Sequence, residues 1–145
     1  MFNASLVDIP RPYIDSIDTL VEALGIACLA LEHPLHDHTL ALITDNQRRG
    51  IGLVRDTPLT HHSIHSIVGQ CSQFPDAHSL VLVSVRTSSP INPSDIELLH
   101  QFTSVVASAG LYILDWVVVG RGGLYCPRSI VGSPDPWSPS AASLY

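Results

Sequence analysis

Hydrophobic and polar positions along the chain follow two alternating periods. Over residues 16–33, Ile17, Leu20, Val21, Leu24 and Cys28 recur at helical spacing; Asp15 or Ser16 can cap the start, and Pro34 ends the pattern. The runs "TLALITD" (39–45) and "IGLVRD" (51–56) are rich in strand formers, and the "NQRRG" between them predicts a hairpin. A second helix is predicted from the N-cap Thr60, with Ile64, Ile67, Val68 and Cys71 on one face. "SLVLVSV" (79–85) is an almost unbroken apolar run, as expected of a strand covered on both faces. The next helix opens near Asn92 or Ser94, with Pro93 in its first turn and acids near its start, and Gly110 closes it. "LYILDWVVVG" (111–120) predicts another central strand, and "RGG" turns the chain into a short last strand at "LYCPR".

This order predicts an α/β fold, a single-domain mixed sheet flanked by helices. Residues 1–13 form an extended lead-in, 14–132 the domain, and 133–145 a Ser/Pro-rich tail carrying Trp137 and Tyr145. A chain of 145 residues buries about two-thirds of its unfolded surface, enough for a real core. Only 14% of residues are charged, which suggests that a partner covers part of the surface.

Charge and cysteine content narrow the classes further. The net charge is −6 with seven Lys plus Arg, so no basic stripe exists for direct nucleic-acid binding. The one basic pair, Arg48-Arg49, falls in the hairpin turn and reads as solvated charge. Cys28, Cys71 and Cys126 form no C-x-x-C pair and read as reduced thiols, Cys28 and Cys71 as small core residues. The first twelve residues lack the charged and apolar regions of a secretory signal, and the longest apolar run, 24–31, is too short for a bilayer. A cytoplasmic, non-membrane protein is expected.

Eight histidines invite a metal-site reading. "HPLHDH" supplies His33, His36, Asp37 and His38, and "HHSIH" supplies His61, His62 and His65, with His61 and His65 one helical turn apart. Between His61 and His65, however, no glutamate stands where a general base would be needed. Surface histidines near a helix start and in a loop are the simpler reading, with His36, Asp37, His38, His61 and His65 as the alternative metal cluster. No G-x-S-x-G elbow surrounds any serine, and "GRGG" (120–123) precedes a strand instead of the helix a phosphate cradle requires.

Three segments resemble a known family. "SPINPSDIELLHQFTSVVASAGLYILDWVVVGRGGLYCPRS" (89–129) is similar to the run of the JAB/MPN metalloprotease fold, in its RadC-type branch, from the Pro-Ser-x-x-Asp helix through "ILDHxIVG" and "GGYYSxR". "HTLALITDNQRRGIGLVRDTPL" resembles the family's first hairpin, and "HHSIHSIVGQCSQFPDAHSLVLVSV" the helix and strand leading to its metal motif. The resemblance implies a cytidine-deaminase-like sandwich. In active members two histidines of a His-x-His-Pro-Ser-Gly turn and an aspartate hold zinc, and a hairpin glutamate acts as base.

Carried over by position, that set is degenerate here. The two histidines fall on Ser84 and Arg86, the aspartate on Asp95, and the glutamate near Ile51 or Gly52. The resemblance therefore implies a domain without zinc or other cofactor, in which Arg86 pairs with Asp95 in the vacated site. The expected function is a catalytically inactive JAB/MPN-like domain serving as a protein-interaction or structural subunit, through a protein partner or self-association. Trp137 and Tyr145 are candidate docking residues. The alternatives are a metal-dependent hydrolase using relocated histidines and, by resemblance alone, an accessory protein in DNA repair.

Overall fold

In the computed structural model, which describes residues 9–31, 36–88, 92–120 and 123–129, the apolar run at 79–85 lies at the centre of a five-stranded sheet. All of this strand, β3 (Ser79–Val85), is buried. Its neighbours are β1 (His38–Thr44), antiparallel, and β4 (Tyr112–Gly120), parallel. Strand β2 (Gly50–Asp56) pairs antiparallel with β1, and β5 (Gly123–Tyr125) pairs antiparallel with β4, giving the order β2-β1-β3-β4-β5. Three helices, α1 (Leu20–Leu29), α2 (His61–Cys71) and α3 (Asp95–Ser108), complete an α/β fold with a mixed sheet.

Successive side chains of a strand point to opposite faces, so the central strands divide the core in two. Leu80 and Leu82 pack with Ile64, Ile67, Phe102 and Trp116 in the cluster that α2 and α3 cover. Val81 and Val83 pack with Leu40, Leu42, Ala23 and Ala27 on the side of α1. The predicted N-cap of α2 is present: Thr60 accepts from the Ser63 backbone N–H, and Ser63 Oγ accepts from the Thr60 N–H.

The first helix departs from expectation. Its cap is Thr19, not Asp15 or Ser16, because residues 11–17 are used to dock on the hairpin. Tyr13 N donates to Gly50 O, Ile17 N donates to Arg48 O, and Ser16 bridges Arg49. Ile17 is fully buried ahead of the helix instead of within it. The buried face is Ala23, Leu24 and Ala27, while Val21 is 54% exposed and Cys28 is also exposed. Cys28 is thus not a core residue, whereas Cys71 is, and burial pushes its thiol up to about 12. The helix is apolar nearly all round, so its sequence does not reveal which stripe faces inward.

Other differences are local. Arg49 is not merely solvated, because its Nε lies 2.8 Å from Asp45 Oδ2 in the hairpin turn. The last strand stops at Tyr125, and residues Pro127–Ser129 form a 3-10 turn. Pro34 and the tail with Trp137 and Tyr145 lie outside the described residues.

Gly52 has no room for a side chain. A Cβ at this position would lie 2.7 Å from Cζ of Phe74, whose ring packs against the larger core cluster. Gly52→Ala is expected to lower stability to urea by about 1–3 kcal/mol through this overpacking. Combined with Phe74→Leu, it should cost less than the two single losses added together.

Candidate functional site

The junction between β3 and α3 gathers the polar groups of interest. Arg86 N donates to Val119 O at 2.9 Å and so carries the β3–β4 pairing one residue past the strand. Ser84 and Arg86, two residues apart, therefore emerge on one face. Six residues on, Asn92 builds the turn into α3. Its Oδ1 accepts from Ser94 N at 3.0 Å and Ser94 Oγ at 2.8 Å, and its carbonyl accepts from Asp95 N at 3.0 Å. Ser94 occupies the N-cap position without making a side-chain cap bond, so Asn92 supplies the turn chemistry.

That turn directs Asp95 inward, where it has no solvent exposure. Arg86 meets it end-on, with Nη1 donating to Oδ2 at 2.9 Å and Nη2 donating to Oδ1 at 2.6 Å. Asn92 N adds a third bond to Oδ2 at 3.1 Å. Two parallel charge-assisted bonds are the strongest arrangement available to such a pair. The guanidinium carbon lies 5.9 Å from the Trp116 ring centroid, at the outer edge of cation–π range. Trp116 is itself anchored, since its Nε1 donates to Ser84 Oγ at 2.9 Å.

A second buried ion pair supports the first. Asp115 Oδ1 accepts from Trp116 N at 2.9 Å and from Arg128 Nε at 3.0 Å, which fastens the 3-10 turn to β4. Tyr125 packs nearby with its hydroxyl buried and without a partner among the described residues. Burial, and then the negative charge of Asp95, pushes this phenol above its ordinary value, with Arg86 opposing.

Beside the junction, between the first turns of α2 and α3, lies a cavity of about 400 Å³. Its polar lining includes His38, His61, Ser84, Arg86, Ser88 and Asn92, and Asp37 stands on it as well. Asp37 Oδ1 accepts from both the backbone N and the Oγ1 of Thr87 at 2.8 Å. The Thr87 backbone bond first, then its hydroxyl, holds the Asp37 carboxyl below the usual range; Arg86 and His36 add smaller contributions against the cost of burial.

The sequence-predicted residues are thus partly brought together. Arg86 and Asp95 are in direct contact, and Ser84 is linked to them through Trp116. The rings of His36 and His38 are 4.8 Å apart, and His38 and His61 line the same cavity. The alternative cluster of His36, Asp37, His38, His61 and His65 does not assemble. His61 turns to Gln101, Asp37 is occupied by Thr87, and His65 faces outward on α2. Among the described residues, no three His, Cys, Asp or Glu side chains could hold a metal ion. His33 lies outside those residues. Trp116 and Arg128 were not singled out from the sequence, and Asn92 was expected only as a candidate helix cap. The signal for Trp116 and Arg128 was an aspartate and a tryptophan inside an otherwise apolar strand, which require partners when buried.

Comparison with known proteins found no matching family model and no curated protein with significant similarity. Among the described residues, no helix is long and apolar enough to cross a membrane.

Breaking the central pair should be costly. Arg86→Ala is expected to destabilise the fold by about 3–5 kcal/mol, because it leaves a buried carboxylate uncompensated. In a double-mutant cycle with Asp95→Ala, the two losses should be far from additive, and an Arg86→Ala variant melting like the parent would refute the pairing.

The Asp37 clamp predicts a pH signature. A carboxyl depressed in the folded state contributes stability above its unfolded value, about 3.9, and loses it as pH falls through the folded value. Thr87→Val removes the hydroxyl bond, so its deficit in urea stability at pH 7 should shrink as pH drops below about 4. A deficit unchanged down to pH 2 would show that the ionised carboxyl plays no part.

Proposed function

We propose that the chain is a metal-free domain of the JAB/MPN kind, RadC-type branch, acting as a protein-interaction or structural subunit and not as an enzyme. The observation that carries this reading is the bidentate Arg86–Asp95 pair at the strand–helix junction. Its support is positional. The residues that the resemblance aligns with the three zinc ligands, Ser84, Arg86 and Asp95, fall within one side-chain network. The order hairpin, helix, strand, turn, helix, strand also agrees with that resemblance.

The residues present do not suit a catalytic zinc. Such a site needs three neutral or anionic ligands and an open position. Here both oxygens of the one carboxylate are taken by a guanidinium, which is a fixed cation and no ligand. The serine oxygen is already an acceptor for an indole N–H. Trp116, moreover, occupies the place of the histidine in the family's "ILDHxIVG". The hairpin position that the resemblance gives to the base has no space at Gly52, where the Phe74 ring fills it.

An interaction role fits the apolar cleft beside α1, lined by Tyr13, Leu29 and Leu53 of the edge strand β2, all three exposed. The test is elemental analysis of protein purified without an affinity tag, with its mass in solution measured on the same sample. Zinc far below one equivalent per chain and a mass above the monomer are expected. One equivalent of zinc would overturn the metal-free reading, and a strictly monomeric chain would remove self-association as the form of interaction.

A further inference from the structure

The phase of the backbone hydrogen bonds decides which groups of β2 face outward. Arg86 N donates to Val119 O, so Ser84 and Arg86 direct their backbone groups to β4, and Val81, Val83 and Val85 direct theirs to β1. Their partners on β1 are Leu42, Leu40 and His38, so Thr39, Ala41 and Ile43 are left to bond β2. Asp56, Val54 and Gly52 answer these, and Leu53 points its N–H and C=O away from β1. No strand among the described residues covers that side, because β2 is the edge of the sheet.

An unblunted edge is a template for another strand. The opposite edge is blunt, since β5 has only three residues and a 3-10 turn follows it. Strand β2 has seven, and residues 50–54 carry neither charge nor proline. Part of this edge already takes an extended segment. Tyr13 N donates to Gly50 O, Ser16 bridges Arg49, and Ile17 N donates to Arg48 O, with Ile17 fully buried. That pairing stops at Gly50, short of Leu53.

An apolar cleft of about 280 Å³ opens between this stretch and α1. Ile51 and Leu53 line it from the strand, Ile26 and Leu29 from the helix. Its volume falls below the roughly 300–1,000 Å³ of small-molecule sites and suits side chains. Ile9 stands at the same cleft and against α1, where a Cβ on Gly25 would lie 3.5 Å from its Cγ1. The chain that precedes Ile9 is therefore tethered at the cleft. Residues 2–6 lie outside the described residues, but their sequence alternates: Phe2, Ala4 and Leu6 are apolar, Asn3 and Ser5 polar. In a strand this pattern puts the three apolar side chains on one face.

We propose that residues 2–6 of the chain itself add to the edge of β2 at Leu53 and set Phe2, Ala4 and Leu6 into the cleft. Their backbone supplies partners for the Leu53 N–H and C=O, and Asn3 and Ser5 face water. The tether favours the same molecule over another copy. Only Val7 and Asp8 separate Leu6 from Ile9, and a link so short gives a local concentration of about millimolar or above. The segment occupies the cleft that the interaction reading assigns to a partner, so a partner reaches it only by displacing residues 2–6. That consequence rests on the interaction reading, whereas the docking does not.

The test is amide hydrogen exchange at Leu53 in the full chain, with the urea stability of each variant measured alongside. Phe2→Asp combined with Leu6→Asp should speed exchange at Leu53 by about tenfold or more, because exchange follows local opening, without lowering global stability. Asn3→Asp combined with Ser5→Asp adds the same charge on the opposite face and should leave exchange unchanged. Equal exchange in the parent and both variants, or an equal rise in both variants, would overturn the proposal. A mixture of isotope-labelled and unlabelled chains identifies the source. Nuclear Overhauser contacts from Phe2 or Leu6 to Leu29 or Leu53 are expected within one molecule, and contacts between molecules alone would overturn docking in the same chain. Release of the segment should also strengthen self-association, read from the concentration dependence of mass in solution. Faster exchange with unchanged association would support the docking and count against the interaction reading alone.

Discussion

A carboxylate with no contact with water has to be neutralised by something, and at Asp95 that requirement organises one whole end of the molecule. Arg86 answers it, but a guanidinium can do so only if its own backbone is fixed. The bond from Arg86 N to Val119 O ties it to β4, and the indole of Trp116 flanks the guanidinium. Trp116 is held in turn by Ser84 at its ring nitrogen and by Asp115 at its backbone nitrogen. Asp115 is a second buried acid, and Arg128 meets it from the turn after β5. Two ion pairs thus share one tryptophan between them.

The energetic meaning of this network lies in position more than in net stabilisation. A buried pair recovers little beyond the desolvation it costs, whereas removing one member leaves a charge that the interior cannot solvate. The network therefore permits one placement of α3 relative to β3 and strongly disfavours others. Fixing the start of α3 also fixes the cavity wall that it shares with α2. The hydroxyls of Thr39 and Tyr125, buried without a partner among the described residues, mark where the same end of the sheet is less completely satisfied. Thr39 stands opposite Ser84 in the β1–β3 register, and Tyr125 opposite Val118.

How much of this could be read from the chain depended on whether the signal was local. The strands at 38–56 and 79–85 declared themselves through composition, and Thr60 through its place before an apolar face, because these depend on near neighbours in sequence. Helix α1 did not, since a helix apolar on every side carries no phase. Its inward face was settled by the docking of residues 11–17 on the hairpin, which is a tertiary event. The pairing of Arg86 with Asp95 was legible through a resemblance that aligned both with metal ligands. Trp116 and Arg128 were less so, because each acts through a partner that only the folded sheet brings near, whereas Asn92, whose partners Ser94 and Asp95 are near neighbours, was legible as a helix start. The histidine clusters were ambiguous for a related reason. Sequence proximity of His36, Asp37 and His38 does not point them at one centre, and helical spacing of His61 and His65 leaves both on the solvent side.

On the proposed reading, an arginine stands where related domains hold a metal, and that changes what such a junction can do. A catalytic zinc lowers the pKa of water because it keeps an open coordination position and binds the conjugate base directly. A guanidinium has no such position, and at Arg86 the two terminal nitrogens already donate to Asp95. It holds the same two elements together but cannot generate a nucleophile. Beside it lies a polar cavity between the first turns of α2 and α3. On the reading proposed here, the pair that stands in the metal's place also supplies a rigid frame, since Arg86 holds the start of α3 and α3 forms part of the cavity wall.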